Sequence, residues 1–202
     1  MTSEERASVE AARRGDVAAF NQLVDSYQRL AYNVAYRTLG QAEEAADATQ
    51  DAFLSAFRAI SDFRGGSFKA WLLRIVVNAC YDQLRRRRRQ PTDSLEALAD
   101  SSHTDLAPSD PAPGPEPTAL GQETAEAIQQ ALDRLAPEQR LTVVLCDVQG
   151  LSYEEAAAAL EVAIGTVKSR LSRARAQLRD ELAARGELPG AARRPPEEGL
   201  PP

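Results

Sequence analysis

Apolar positions recur at three- and four-residue spacing through most of this chain, the period of helices with one packed face. Phe20, Leu23, Val24, Tyr27, Leu30, Ala31 and Val34 share one such face, in a helix that Asp16 caps and Gly40 closes. A second helix follows over 42–60, with Ala45, Thr49, Ala52, Phe53, Ala56 and Phe57 inward. The stretch Ser61-Asp-Phe-Arg-Gly-Gly-Ser67 then breaks the pattern, because paired glycines weaken a helix and favour a loop. A third helix over 68–88 offers Trp71, Leu72, Ile75, Val76, Ala79 and Leu84 to the core and ends in five consecutive cations, Arg85 to Arg89.

From Gln90 to Gln122 the periodicity fails, and six of the chain's twelve prolines fall there among Ser, Asp and Gly. Such a segment buries too little apolar surface to fold alone and reads as a flexible linker. Helices resume over 123–135, with Ala127, Ile128, Ala131, Leu132 and Leu135 inward. Pro137 starts another, with Leu141, Val144, Leu145 and Val148 apolar and Gly150 at its end. The segment Leu151–Leu178 reads as two helices joined by a tight turn, the first opened by an S-x-x-E capping box of Ser152 and Glu155. Beyond about residue 185 a Pro/Gly-rich tail frays. The expectation is an all-α chain of two small helical domains, 13–90 and 123–185, joined by an acidic Pro-rich linker (91–122) and followed by a disordered tail (186–202).

The last helix carries the most specific pattern. Val167, Leu171, Ala174 and Leu178 face a core, Lys168, Ser169, Ser172 and Arg173 fall on the opposite side, and Arg170 and Arg175 flank the apolar stripe. One packed face, one donor-rich face and basic shoulders suit a duplex major groove, with base edges at the centre and phosphates at the shoulders. An ordinary surface helix with solvated arginines is the alternative for an isolated segment; the capped helix before it makes the pair a DNA-binding helix-turn-helix.

Net charge sharpens this. The total of −6 splits into +3 over 1–92, −8 over 93–136 and −1 over 137–202, with five cations and no acid in 163–179. Acidity therefore sits between two basic surfaces, so the chain's overall balance implies only weak non-specific affinity for DNA.

Other chemistry finds little support. Cys80 and Cys146 stand in apolar helical patterns and read as buried thiols in a reducing compartment, and the single histidine, His103, lies in the linker. No metal-ligand spacing, P-loop or catalytic constellation is present, so no cofactor is expected and the chain is expected not to be an enzyme. No apolar run approaches the roughly 20 residues of a membrane span, and the N-terminus lacks a signal core; the expected location is cytoplasmic. A helix-turn-helix regulator with an N-terminal effector domain is one alternative function. It would bind its operator alone and as a dimer, yet nothing marks a dimerisation coiled coil.

A second constellation bears on that choice. Asp47-Ala-Thr-Gln-Asp51-Ala-Phe, Asp62-Phe-Arg-Gly-Gly-Ser-Phe-Lys-Ala-Trp71-Leu-Leu-Arg-Ile-Val-Val-Asn78 and Gly165-Thr-Val-Lys-Ser-Arg170 stand in that order. Together they resemble the extracytoplasmic-function (group IV) sigma factors of bacterial RNA polymerase, over nearly all of 15–185. The resemblance implies a promoter-specificity subunit that binds core RNA polymerase and promoter DNA and is held by an anti-sigma factor until a stress signal arrives. By it, Asp47, Gln50, Asp51 and Phe53 dock on the polymerase clamp. Phe63, Arg64, Ser67, Phe68, Arg74 and Asn78 read an unstacked minus-ten strand, and Arg85–Arg89 hold phosphates. Lys168, Ser169, Arg170, Ser172, Arg173 and Arg175 meet the minus-thirty-five element. Trp71 reads first as core. The chain departs from many relatives at Ala163, where they carry proline, and from some at Ser172, where a larger residue stands.

Overall fold

The computed structural model describes residues 2–89 and 119–184, and every regular element among them is helical. Most of the expected linker, with His103, and the expected tail lie outside the described residues.

Four helices build the N-terminal bundle: α1 (Ser3–Arg13), α2 (Val17–Leu39), α3 (Ala42–Ala59) and, after a 3₁₀ turn at Ile60–Asp62, α4 (Phe68–Arg89). The expected caps form. Asp16 accepts the Ala19 N–H at 3.1 Å, and Gly40 ends α2 in the left-handed region at φ 79°. The bundle starts ahead of the expected boundary at residue 13. In α1 a Thr2/Glu5 capping box opens the helix, Val9 and Ala12 are buried, and the Tyr27 hydroxyl donates to Glu5 at 2.6 Å. So few buried positions in so polar a helix leave little periodicity to detect.

Alanines set the spacing inside the bundle. Ala31 and Ala35 of α2 and Ala45, Ala48, Ala52 and Ala56 of α3 are all fully buried, so the two backbones pack closely. The ends fill with larger groups: Phe20, Leu23, Ile60, Phe63, Phe68 and Leu72 form one cluster. Each large apolar side chain buried there contributes roughly 1.5–3 kcal/mol. Phe57, expected inward, is 42% exposed, touching Phe20 edge-on while its other side faces solvent.

The C-terminal bundle holds α5 (Ala119–Asp133), α6 (Pro137–Val143), a π turn at Val144–Val148, α7 (Tyr153–Leu160) and α8 (Ile164–Ala184). Helix α5 begins earlier than the expected Glu123. Pro137 occupies the first turn of α6, and the Ser152/Glu155 box opens α7 as the sequence implies. Ile128, expected inward, is 38% exposed, and Val148, one of the apolar positions read for its helix, is 51% exposed. Val148 lies in the π turn, whose wider winding displaces it from the apolar face.

The two bundles pack against each other. One continuous core joins Ala31, Val34, Leu73, Val77 and Cys80 to Leu141, Leu145, Leu160 and Val167. Helix α7 lies along α4, and the seam carries polar ties. Arg140 Nη1 donates to the Thr38 carbonyl at 2.7 Å, and Lys69 Nζ donates to the Gln149 carbonyl at 2.7 Å. Both cysteines are free. Burial pushes the Cys80 thiol up to about 12, and burial with Asp147 raises the half-buried Cys146. Because the thiolate is the reactive form, Cys146 should alkylate well before Cys80 at pH 8. Mass spectrometry after timed iodoacetamide treatment reads the order, and equal rates would mean that this core opens readily.

Candidate nucleic-acid interface

Three surfaces carry the predicted site residues. The first is the outer face of α8. Val167, Leu171 and Ala174 are buried beneath it, while Lys168, Ser169, Ser172 and Arg173 are exposed together. Arg173 lies back along its own helix, with Nε 3.3 Å from the Ser169 carbonyl, and is free to swing outward. Arg175 is held differently. Its guanidinium is bound bidentately by Asp147, Nη2–Oδ1 at 2.6 Å and Nε–Oδ2 at 3.0 Å, and these bonds raise its pKa further, with a smaller share from Tyr153. The π turn places that Asp147, which the sequence pattern did not mark. Tyr153, Lys168, Ser172, Arg175 and Arg179 line a depression along this helix together with Leu171 and Ala176, with Lys168 Nζ 6.0 Å from the Tyr153 ring centre.

Arg170 corrects an expectation. Instead of standing on an open shoulder it is half-buried, with one terminal nitrogen sealed from solvent. It lies within electrostatic reach of Tyr81 on α4, where it partly offsets the rise that burial and Glu138 impose on the phenol. In this arrangement Arg170 lies at the seam between the bundles.

The second surface is the loop between the 3₁₀ turn and α4, with the start of α4. Arg64 and Ser67 are exposed, and Gly65 and Gly66 take φ 93° and 92°, a conformation that only glycine adopts without strain. Ser67 Oγ accepts the Ala70 N–H at 3.2 Å and so caps α4. Arg74 and Asn78 are exposed one turn apart on α4. Two aromatic residues of the predicted set are buried. Phe63 and Phe68 are 3% and 1% exposed, stacked edge-on at 5.8 Å, with Trp71 5.3–5.4 Å from both. Their apolar area drives them under the loop, where they hold it. Trp71 packs on this cluster, as its core assignment requires.

The third surface lies on α3. Asp47, Gln50 and Asp51 are exposed on one face, and Phe53 is half-buried at its edge. Alongside runs an apolar groove between α2 and α3 lined by Val17, Phe53, Leu54 and Phe57, of which Val17 and Leu54 are 54% and 48% exposed. Leu54 lies on the same face as Asp47 and Asp51, at a spacing of seven and three residues; that coincidence was the signal available for it. The arginine run turns back toward α3, with Arg86 3.8 Å from Asp51 and Arg87 3.7 Å from Glu44.

Among the described residues no group of His, Cys, Asp and Glu could hold a metal ion, and no helix is long and apolar enough to cross a membrane.

Comparison with known proteins is consistent across both bundles. The family profile for Sigma-70 region 2 matches residues 23–90, and that for Sigma-70, region 4 matches residues 125–178. The chain is 42% identical over 172 residues to the ECF RNA polymerase sigma factor SigE of Mycolicibacterium smegmatis, covering 84% of this chain and 65% of that protein. It thus spans just under two thirds of that relative's length. It is 46% identical over 165 residues to SigM of Mycobacterium tuberculosis, covering 81% of this chain and 77% of that protein. The fold is similar to that of the sigma factor RpoE solved with the anti-sigma factor NepR from Bartonella quintana. The TM-score is 0.62 at 31% identity, over 82% of this chain and 98% of that one.

Proposed function

We propose that this chain, which belongs to the extracytoplasmic-function (group IV) sigma factors, binds core RNA polymerase and directs initiation by reading a minus-ten and a minus-thirty-five element. As a sigma factor it is not an enzyme; its chemistry is recognition. The observation that carries the reading is the exposed row Lys168, Ser169, Ser172 and Arg173 on the second helix of a capped helix-turn-helix. Those donors stand where base edges would meet them, and their packed undersides fix the register. In region 2 the glycine loop brings backbone close to an unstacked base, while Arg74 and Asn78 offer hydrogen bonds to exposed edges. Capture of unpaired bases would hold strands apart without nucleotide hydrolysis. A protein partner that holds the chain inactive is supported by its likeness to RpoE, which was solved with an anti-sigma factor.

Runoff transcription from genomic fragments with core polymerase tests the whole reading: the chain should confer initiation at a defined set of promoters. Operator-type binding by the chain alone, with no transcript in the presence of core enzyme, would favour a simple regulator.

Polymerase docking is assigned to Asp47, Gln50, Asp51 and the edge of Phe53, with the neighbouring apolar groove as part of the same contact. Charged and amide groups around an apolar centre fit a basic, partly apolar partner surface. Asp51→Arg should weaken core binding by roughly tenfold or more and leave the melting temperature nearly unchanged. Its pairing with Arg86 is exposed and contributes little to the fold. Titration of labelled protein against core enzyme checks this, and unchanged affinity would move the docking surface elsewhere.

A further inference from the structure

The loop assigned to the minus-ten strand runs from Arg64 to Ser67, and its middle rests on nothing. Chain neighbours aside, no atom lies within 4 Å of the place a Cβ would take at Gly65 or Gly66. The height and direction of the loop are therefore set where it leaves the bundle, at Phe63 and Phe68. Both rings are buried and meet edge-on, with centres 5.8 Å apart. Whatever seats these two rings seats the loop.

Phe68 has a neighbour that ties it to the far side of the bundle. The Tyr27 ring of α2 packs edge-on against it at 5.4 Å, and the Tyr27 hydroxyl donates to Glu5 of α1 at 2.6 Å. Burial, with Glu5 beside it, raises the pKa of this phenol, so the hydroxyl stays a donor through the physiological range.

Helix α1 completes the arrangement. Its Val9 and Ala12 are buried in the same cluster as Ile60, Phe63 and Phe68, and the helix packs on the 3₁₀ turn that leads into the loop. It lies ahead of the stretch, 23–90, that matches the Sigma-70 region 2 profile. Two buried side chains, one of them an alanine, secure α1 by little apolar area. A hydrogen bond to a carboxylate then carries a large part of its placement.

We propose that α1 is a strut beneath the minus-ten loop, with Glu5 and Tyr27 as positioning residues that act on base recognition through Phe68. This rests on the assignment of that loop to the minus-ten strand. Pinned at its hydroxyl, the Tyr27 ring bears on Phe68, and Phe68 bears on Phe63 at the other end of the loop. With the hydroxyl released the Tyr27 ring shifts, the two phenylalanines follow, and Arg64 and Ser67 lose their common setting. Fewer molecules then hold the loop ready, and affinity for an unstacked base falls by that fraction. Binding of minus-thirty-five duplex, carried by α8, stays as it was. Trp71, the chain's one tryptophan, touches both phenylalanines, so its fluorescence in the free chain reports the seat of the loop without DNA.

Four single variants of the full chain test this, each well below its melting temperature. Tyr27→Phe keeps the ring and removes the hydroxyl, and Glu5→Gln keeps an acceptor for it. Ser8→Ala removes a second tie between α1 and α2, the Ser8 hydroxyl to Gln22 at 3.1 Å, which leads to no part of the loop. Arg64→Ala removes an exposed side chain of the loop itself. The probe is a fluorescent non-template minus-ten oligonucleotide from a promoter found by runoff transcription, with single-base variants, bound to each protein assembled with core polymerase. Tyr27→Phe should bind it about fivefold more weakly, within the worth of one hydrogen bond, and should discriminate less among the base variants. Acrylamide should quench Trp71 more readily in that protein. Glu5→Gln and Ser8→Ala should stay close to the unaltered chain in all three readouts. A loss with Arg64→Ala but none with Tyr27→Phe overturns the strut and keeps the loop assignment, as does an equal loss with Tyr27→Phe and Ser8→Ala. No loss with Arg64→Ala removes the minus-ten assignment of the loop instead, and the strut's part in recognition with it.

Discussion

Replacing Arg140 with methionine should lower the stability of this protein by about 3 kcal/mol, although the residue touches neither DNA-facing row. Its side chain is 8% exposed, and its guanidinium binds the Thr38 carbonyl at 2.7 Å, the Leu135 carbonyl at 3.4 Å, the Asp133 carbonyl and the Asp133 carboxylate at 2.9 Å. Burial lowers its pKa and the Asp133 charge opposes that shift, so the group remains a cation that neutralises a nearby acid. Methionine fills much of the volume but supplies no donor, leaving carbonyls from two bundles short of a partner. For a chain of this size the loss corresponds to a drop of roughly 6–12 °C in melting temperature. Arg140→Lys should recover only part of it, because one ammonium cannot span carbonyls that a planar fork reaches together. Thermal unfolding followed by circular dichroism measures both variants. A loss below about 1 kcal/mol would mean that water satisfies the freed carbonyls.

The second large effect concerns sequence readout. Arg173→Ala should reduce discrimination within the minus-thirty-five element by roughly 1–3 kcal/mol, the worth of one good bidentate contact to a guanine edge. Arg175→Ala should instead weaken all sequences alike and lower the salt slope by about one, as loss of a phosphate contact does. Asp147 refines that contrast. Its carboxylate already occupies the Arg175 fork, so part of the phosphate attraction is spent inside the protein. Asp147→Asn should then strengthen binding to every sequence, opposite in sign to Arg175→Ala and equally blind to base identity. Promoter variants titrated at two salt concentrations distinguish these patterns. Should Arg173→Ala and Arg175→Ala lose affinity in the same sequence-independent way, Arg173 is not a base reader.

Much of this architecture was written in local signals. Asp16 before an apolar run, Gly40 after it and the Ser152/Glu155 box each act within one helical turn, so their outcome depends little on the rest of the chain. The burial of Val167, Leu171 and Ala174 beneath the cationic face followed from period alone. What escaped depends on tertiary contact. Phe63 and Phe68 flank a glycine loop, where a base contact suits them, yet loop aromatics also anchor a loop, and their packing with Trp71 is visible only in the fold. Helical phase puts Arg170 on a shoulder because it cannot register a second bundle. The seam itself is invisible to periodicity, since the residues that form it lie on opposite sides of a long Pro-rich segment. Phe57 reversed for a related reason: a helix packed on one flank only leaves apolar residues on its open shoulder.

The π turn at Val144–Val148 amounts to a helix that has taken in one residue more than the α winding needs. Such an insertion is reversible in principle, and its removal has a calculable geometry. Deleting one residue from this turn would let the helix from Pro137 run on as regular α while everything after it kept nearly its present azimuth, because the wider winding has already absorbed the extra residue. A residue deleted from the regular winding of Pro137–Val143 would instead rotate the helix-turn-helix by about 100° and draw it in by about 1.5 Å. The π turn is thus a place where the chain can change length by one residue without re-aiming the reading head.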